Sequence, residues 1–92
     1  MIASFEHKGL ERFYRTGSKS GIQPAHAARL NVILSLLDVA KSANDLNVPG
    51  FGLHPLKGDL RGYFAVKVSG NWRLIFKPNG ENMEFVDYLD YH

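Results

Sequence analysis

The chain has 92 residues and a formal net charge of +2; 45% of its residues are hydrophobic and 22% are charged. This length and balance fit one globular domain spanning residues 1–92 and exclude a disordered linker. The absence of cysteine excludes disulfides and thiolate metal sites, and no apolar run is long enough to cross a bilayer. We therefore expect a cytoplasmic domain with no membrane partner, whose slight positive charge favours an anionic partner without requiring one.

Two helices are predicted in the N-terminal half, after a short strand at residues 2–5. Residues 8–16 place apolar side chains at helical spacing, and Gly17 is suited to the left-handed conformation that ends a helix. A second helix is predicted to begin at Pro24, which lacks the N–H that a first helical residue leaves unbonded, and to extend to about residue 42. The two helices are expected to form an antiparallel hairpin.

The C-terminal half has the pattern of a sheet. Glycine and proline interrupt residues 51–61, which predicts an ordered loop. Beyond it apolar residues alternate with polar ones, and Asn79-Gly80 is a strong hairpin-turn signal. Three strands are predicted, at residues 62–68, 72–77 and 82–89. The fold class is therefore α+β, an N-terminal helical hairpin packed on a twisted antiparallel sheet.

The turns also predict a register. The first turn pairs Val68 with Trp72 and Lys67 with Arg73, and the second turn pairs Phe76 with Met83. The apolar face expected beneath the helices then carries Phe64, Val66, Val68, Trp72, Leu74, Phe76, Met83 and Phe85. The opposite, uncovered face carries Tyr63, Lys67, Arg73, Lys77, Glu84, Tyr88 and Asp90. A slip of one residue would exchange the faces, so this segregation supports the register.

Two interpretations of the uncovered face remain open. An antiparallel sheet commonly exposes one solvated polar face. Alternatively, Tyr63, Lys67 and Arg73 form a platform for single-stranded nucleic acid, because arginine pairs with phosphate and aromatic rings stack on bases. His7 and His26 are expected to face solvent on the helices.

The loop and the C-terminal residues are further candidates. His54, Lys57 and Arg61 lie in a loop, where binding residues are common, although a plain charged surface loop is the simpler alternative. The chain ends in Asp90-Tyr91-His92; a histidine can transfer protons near neutral pH and a carboxylate can orient it, unless His92 is an ordinary chain end. No tight ligand spacing predicts a metal site, and no nucleophile elbow or glycine-rich phosphate loop occurs.

Five segments carry a family resemblance in their order and spacing across essentially the whole chain. They are Phe5-Glu6-His7-Lys8-Gly9-Leu10, Leu53-His54-Pro55-Leu56-Lys57-Gly58-Asp59, Gly62-Tyr63, Asn71-Trp72-Arg73 and Asp90-Tyr91-His92. Together they resemble the HigB-type toxins of the RelE/ParE superfamily, also called plasmid-maintenance killer or host-inhibition proteins. The resemblance implies the RelE-like toxin fold, with two helices packed on a twisted antiparallel sheet.

The resemblance also implies a function. It is that of a type II toxin, a ribosome-dependent endoribonuclease that cuts mRNA in the decoding site without metal or cofactor. The implied partners are a HigA-like helix-turn-helix antitoxin, the ribosome and mRNA, and operator DNA only through the antitoxin complex. The implied catalytic residues are His54, Lys57, Arg73, Asp90, Tyr91 and His92, and RNA contacts are expected from Arg61, Tyr63 and Lys67.

Each residue type suits a step of RNA cleavage. His54 and His92 are candidates for the proton transfers, although the sequence does not assign acid and base. Lys57 and Arg73 suit the phosphate. Two alternatives come from other classes: a non-catalytic ParE-like inhibitor of DNA gyrase, and a small RNA-binding module that does not cut.

Overall fold

The computed structural model describes residues 1–91, so His92 and its predicted role lie outside the described residues. Within residues 1–91, two α-helices precede an antiparallel sheet with strand order β1-β2-β3-β4. The elements are α1 (Lys8–Thr16), α2 (Ala27–Val39), β1 (His54–Pro55), β2 (Phe64–Ser69), β3 (Trp72–Asn79) and β4 (Asn82–Asp90). The predicted α+β class is confirmed, and neither helix in this part of the chain is long and apolar enough to span a membrane.

Helix α1 has the predicted bounds because both its ends are capped locally. At the start, Nδ1 of His7 accepts a hydrogen bond of 2.9 Å from the Leu10 backbone N–H. At the end, Gly17 has the left-handed φ of 80° and donates its N–H to the Phe13 carbonyl at 2.8 Å. These bonds satisfy backbone groups that a helix end otherwise leaves unpaired.

Helix α2 is shorter than predicted at both ends. Pro24–His26 forms a 3₁₀ turn before it, and Ala40 after it is already extended. The turn directs His26 inward, with Nδ1 2.6 Å from the Tyr88 hydroxyl oxygen and only 9% of the residue exposed. The prediction that His26 faces solvent is therefore wrong. A polar group can be buried there because a hydrogen-bond partner is present.

The β2–β3 hairpin follows the predicted register over most of its length. Phe64 pairs with Phe76, Val66 with Leu74 and Lys67 with Arg73, as predicted. The predicted pair of Val68 with Trp72 is wrong. Ser69 pairs with Trp72 because the register shifts by one residue between Lys67 and Ser69.

The predicted loop at residues 51–61 contains an additional edge strand. In β1, His54 pairs with Ala65 and Pro55 with Phe64 of β2. A strand of two residues is too short to produce an alternating pattern that a sequence could reveal. In the C-terminal half, residues 51–91 therefore hold four strands where three were predicted. The short strand predicted at residues 2–5 forms only isolated parallel bridges, from Ile2 to Met83 and from Phe5 to Val86.

The predicted register between β3 and β4 is wrong for two reasons: the turn leaves only residues 80 and 81 between the paired Asn79 and Asn82, and β4 contains a bulge further along. Lys77 pairs with Glu84, yet Ile75 pairs with Asp87, so two residues of β4 oppose Phe76. One of them, Phe85, has a φ of 52°, which a bulky side chain rarely adopts. The predicted pair of Phe76 with Met83 does not form, since Met83 pairs with Pro78.

The extra residue reverses the side-chain alternation of β4 beyond it. Phe85, predicted in the core, is 37% exposed, and Tyr88, predicted on the uncovered face, is only 3% exposed. Asp90 pairs with Trp72, whereas Leu89 pairs with Arg73. Asp90 and Arg73 therefore lie on opposite faces, which corrects the prediction that they share one.

The core lies between the helices and the sheet face beneath them. It includes Leu10, Phe13, Leu30, Ile33, Leu34, Leu37, Val66, Leu74, Phe76, Met83, Val86 and Tyr88. The opposite face, called the outer face below, was expected to be uncovered and polar. Instead, Leu56, Ala65 and Ile75 form a second buried cluster, against which Leu60 packs. The outer face is thus apolar at its centre.

Gly9 of α1 packs directly on the backbone of Gly21. A Cβ built on Gly9 would lie less than 3.0 Å from the Gly21 carbonyl oxygen and α-carbon. In an open helix Gly→Ala is stabilising by about 0.5–1 kcal/mol, but overpacking costs about 1–3 kcal/mol. We expect Gly9→Ala to lower the free energy of unfolding measured in urea, whereas Ser35→Ala on exposed α2 surface should change it by less than about 0.5 kcal/mol. A more stable Gly9→Ala would contradict this packing.

Candidate functional site

Three basic side chains lie side by side on the outer face, one from each of three neighbouring strands. Lys67 of β2 is directly opposite Arg73 of β3. His54 of β1 pairs with Ala65, which places it diagonally beside Lys67 on the same face. We call His54, Lys67 and Arg73 the basic row. Because regular strands hold all three, their backbone positions are defined by the sheet.

The guanidinium of Arg73 is held by the preceding hairpin turn. Its Nη1 donates to the Gly70 carbonyl at 2.7 Å and to the Trp72 carbonyl at 3.0 Å. These bonds do not use the edge formed by Nε and Nη2, which has the geometry for bidentate contact with a phosphate. The side chain is therefore oriented by local contacts while one donor edge points away from them.

The imidazole of His54 is oriented by the loop before β1. Its Nδ1 lies 2.9 Å from the Gly52 carbonyl oxygen, and the residue is exposed. A carbonyl oxygen only accepts hydrogen bonds, so Nδ1 carries the hydrogen in this contact. In the neutral ring Nε2 is then the unprotonated nitrogen, which is the form that a proton acceptor requires.

Lys57 and Arg61 lie in the loop that joins β1 to β2. They adjoin a 3₁₀ turn at Gly58–Leu60, and both side chains are exposed. Leu60 of this turn packs against the buried cluster at the centre of the outer face. The loop therefore folds over that face, and its two cations border the face without belonging to the basic row.

The opposite end of the outer face has mixed charge. Nζ of Lys77 lies 5.9 Å from the centre of the Tyr63 ring. Burial raises the pKa of Tyr63, and the negative charges of Glu6, Asp87 and Glu84 raise it further. The phenol therefore stays protonated at neutral pH, and acidic side chains lie near it. Positive charge on this face is concentrated in the basic row instead.

Asp90 is the last residue of β4, and Tyr91 continues the chain past it. The Tyr91 N–H donates to the Asn71 carbonyl at 2.7 Å, which extends the pairing with β3 by one residue. Alternation places Tyr91, 46% exposed, on the side of Arg73, and Asp90 on the side of Trp72. The C-terminal residues described are thus docked at the end of the sheet that carries Arg73.

One contributor, Arg29 of α2, was not found by sequence reasoning. Its Nη2 donates to the Gly50 carbonyl at 2.8 Å and its Nε to the Lys67 carbonyl at 3.2 Å. Its guanidinium also lies 4.4 Å from the centre of the Phe51 ring. The partners are separated from Arg29 by 21 and 38 residues, so no local pattern could have revealed them.

The fold of this small α+β protein is shared with solved structures. YafQ from Escherichia coli strain BL21(DE3) superposes with a TM-score of 0.63 at 21% identity, covering 96% of this chain and 89% of that chain. The YoeB dimer structure from Staphylococcus aureus gives a TM-score of 0.62 at 16% identity, covering 99% and 94% of the two chains. At these identities the likeness shows a shared fold.

Sequence comparison identifies the family. The family model described as RelE-like toxin of type II toxin-antitoxin system HigB matches residues 3–92. Endoribonuclease HigB of Proteus vulgaris is 39% identical over 92 residues, which is all of both chains. Toxin HigB-1 of Vibrio cholerae serotype O1 is 32% identical over 94 residues, covering 100% of this chain and 98% of that protein. The chain belongs to the HigB family of RelE-like toxins, and a type II toxin has an antitoxin as its partner.

The basic row makes a stability prediction, because like charges directly opposite in a sheet are destabilising. Lys67→Glu should raise the free energy of unfolding at low salt by about 0.2–1 kcal/mol, since it creates an opposite-charge pair with Arg73. Lys77→Glu is the matched control and should lower it, because Lys77 is already opposite Glu84.

Urea unfolding at low and high salt measures both effects, and both should shrink as salt screens the charges. Shifts of the same sign in the two variants would show that the charges on this face do not interact across the strands.

Proposed function

We propose that this toxin cuts mRNA in the decoding site of the ribosome by metal-independent attack of a ribose 2′-OH. Endoribonuclease activity itself is supported by 39% identity over the whole chain to Endoribonuclease HigB. The observation that carries the mechanism is the basic row, where an imidazole oriented by a carbonyl lies beside two cations on one face.

The reaction needs two proton transfers and stabilisation of the negative charge that develops on the phosphate oxygens. The 2′-oxygen bonds to phosphorus as its proton leaves, and the bond from phosphorus to the 5′-oxygen breaks as that oxygen gains a proton. The products are a 2′,3′-cyclic phosphate and a 5′-hydroxyl. We assign the first transfer to Nε2 of His54, whose Nδ1 is occupied by the Gly52 carbonyl. His92 is the proposed donor to the leaving oxygen.

The cations are assigned to the phosphate and to the RNA strand. Arg73, with its Nε and Nη2 edge directed away from the turn, and Lys57 would stabilise the charge that develops on phosphorus-bound oxygens. Arg61, Lys67 and Tyr63 would contact the strand on either side of the cut.

The C-terminal residues have separate proposed roles. Tyr91, exposed on the side of Arg73, would stack on a base. Asp90 belongs to the other face, so its proposed role is to orient its neighbour His92 from the end of the sheet and not to act within the basic row.

The proposed partners follow from charge and family. Because a formal net charge of +2 gives little long-range attraction to RNA, the ribosome would present the mRNA to the toxin. A HigA-like helix-turn-helix antitoxin would neutralise the toxin in the cytoplasm and carry the complex to operator DNA.

Cleavage should depend on the basic row and on His92. In a purified translation mixture, we expect new mRNA ends at ribosome-occupied codons, with cleavage rates falling about 10²–10⁴-fold in His54→Ala and His92→Ala. Arg73→Ala should also be strongly impaired, whereas Arg15→Ala, which removes an exposed pair with Glu11 on α1, should cut normally. Intact mRNA with the wild-type protein would favour gyrase inhibition or RNA binding without cutting.

The chemistry can be tested on the RNA itself. A single 2′-deoxynucleotide immediately 5′ to the cut should abolish cleavage there, because the attacking oxygen is missing. Mapping of the ends on the unmodified message should find a 2′,3′-cyclic phosphate and a 5′-hydroxyl. The control message carries the deoxynucleotide one position 3′ to the cut and should be cut at the normal rate. A 3′-hydroxyl end, or cleavage at the deoxy position, would exclude this mechanism.

A further inference from the structure

We propose that Arg29 is a positioning residue for the cleavage reaction, holding the imidazole of His54 through the backbone of residues 50–52. The inference rests on the proposed function, since it concerns the proton acceptor of that site. It begins from one contact between elements: an arginine of α2 bonds to the loop that precedes β1.

Arg29 joins this loop to β2. Its Nη2 bonds to the Gly50 carbonyl and its Nε to the Lys67 carbonyl, while its guanidinium lies over the ring of Phe51. Phe51 is 3% exposed, and its carbonyl accepts the Lys67 N–H at 2.7 Å. The forked guanidinium is required for this arrangement, because one planar group bonds two carbonyls that belong to different segments.

Gly52 transmits this restraint to His54. Its φ is +60°, and the Cε atom of Lys67 lies 3.1 Å from where a Cβ would be. The side chain of Lys67 therefore restrains the Gly52 backbone from one side. Arg29 restrains it through the two preceding residues, Gly50 and Phe51. The Gly52 carbonyl then receives Nδ1 of His54 at 2.9 Å. This series of contacts fixes the orientation of the His54 ring and favours the tautomer in which Nε2 is unprotonated.

Arg29 does not act by binding RNA in this scheme. Its Nε and Nη2 are used by backbone carbonyls, and one side of its guanidinium is used by the Phe51 ring. A residue of this kind should change the rate of the chemical step and not the affinity for the substrate complex. An arginine that contacts phosphate should do the opposite.

The first experiment measures the nitrogen protonation of His54 directly. Long-range ¹H–¹⁵N correlation spectra of the ¹⁵N-labelled protein, at a pH where the ring is neutral, should show Nδ1 protonated and Nε2 unprotonated. In Arg29→Ala we expect this preference to be lost, while Arg15→Ala should keep it. A wild-type His54 with Nε2 protonated would overturn the proposal, and this result needs neither a variant nor enzymatic activity.

The second experiment separates kcat from KM, with programmed ribosomes as substrate. Arg29→Ala should lower kcat on the order of 10²-fold with little change in KM, because a small misplacement of a reacting group has an effect of that size. Arg29→Lys should remain impaired, since one ammonium cannot bond both carbonyls in the same geometry. Recovery of activity by Lys, or a raised KM with normal kcat, would show that Arg29 acts by charge on RNA.

Thermal unfolding of each variant shows whether it is folded under assay conditions. If Arg29→Ala loses activity only because it unfolds, the His54 tautomer should be unchanged in the fraction that remains folded. That result would overturn the positioning role. If the wild-type protein cuts no RNA while His54 shows the expected tautomer and its dependence on Arg29, the proposed function fails and the contact pathway stands.

Discussion

The bulge in β4 is the constraint that decides which side chains of this strand enter the core and which reach the outer face. Two residues, Phe85 and Val86, oppose Phe76, and the N-terminal segment binds this irregular stretch. The Ser4 hydroxyl accepts the Phe85 N–H at 2.9 Å, and the Ser4 carbonyl accepts the Val86 N–H at 3.0 Å. Bonding of this kind compensates for ladder bonds that a bulge interrupts and for the left-handed backbone of Phe85. Beyond the bulge, Val86 and Tyr88 enter the core.

The same bulge determines what the outer face can present. Leu89 lies opposite Arg73 because the alternation of β4 has been reversed, and its side chain joins the apolar cluster with Ile75. The loop that joins β1 to β2 then has an apolar surface on which its Leu60 can pack. The basic row is left as the strongly positive part of this face. Its pair of like charges, Lys67 opposite Arg73, opposes sheet stability, and such local conflicts are expected where a surface serves function.

The contacts that connect the helices to the sheet also reach the site. His26, in the 3₁₀ turn just before α2, bonds to the Tyr88 hydroxyl, and Arg29 in the first turn of α2 bonds to the loop before His54 and to β2. Arg29 therefore links α2 both to β2 and to the segment that leads into β1. Under the proposed positioning role, a substitution of Arg29 changes the site without touching substrate, because its bonds go to backbone carbonyls of Gly50 and Lys67.

Local patterns in the sequence were sufficient for α1 with its Gly17 cap, for most of the β2–β3 register and for the α+β class, since caps, turns and alternation are encoded by neighbouring residues. The segments resembling HigB-type toxins identified the family, which the family match confirmed, and the roles of the site residues stay predictions. Tertiary structure decided which side chains of β4 face the core, the burial of His26 and the bonds of Arg29. Phe85 and Val86 are both apolar, so alternation cannot show which is the extra residue, and bonds across 21 and 38 residues leave no local pattern.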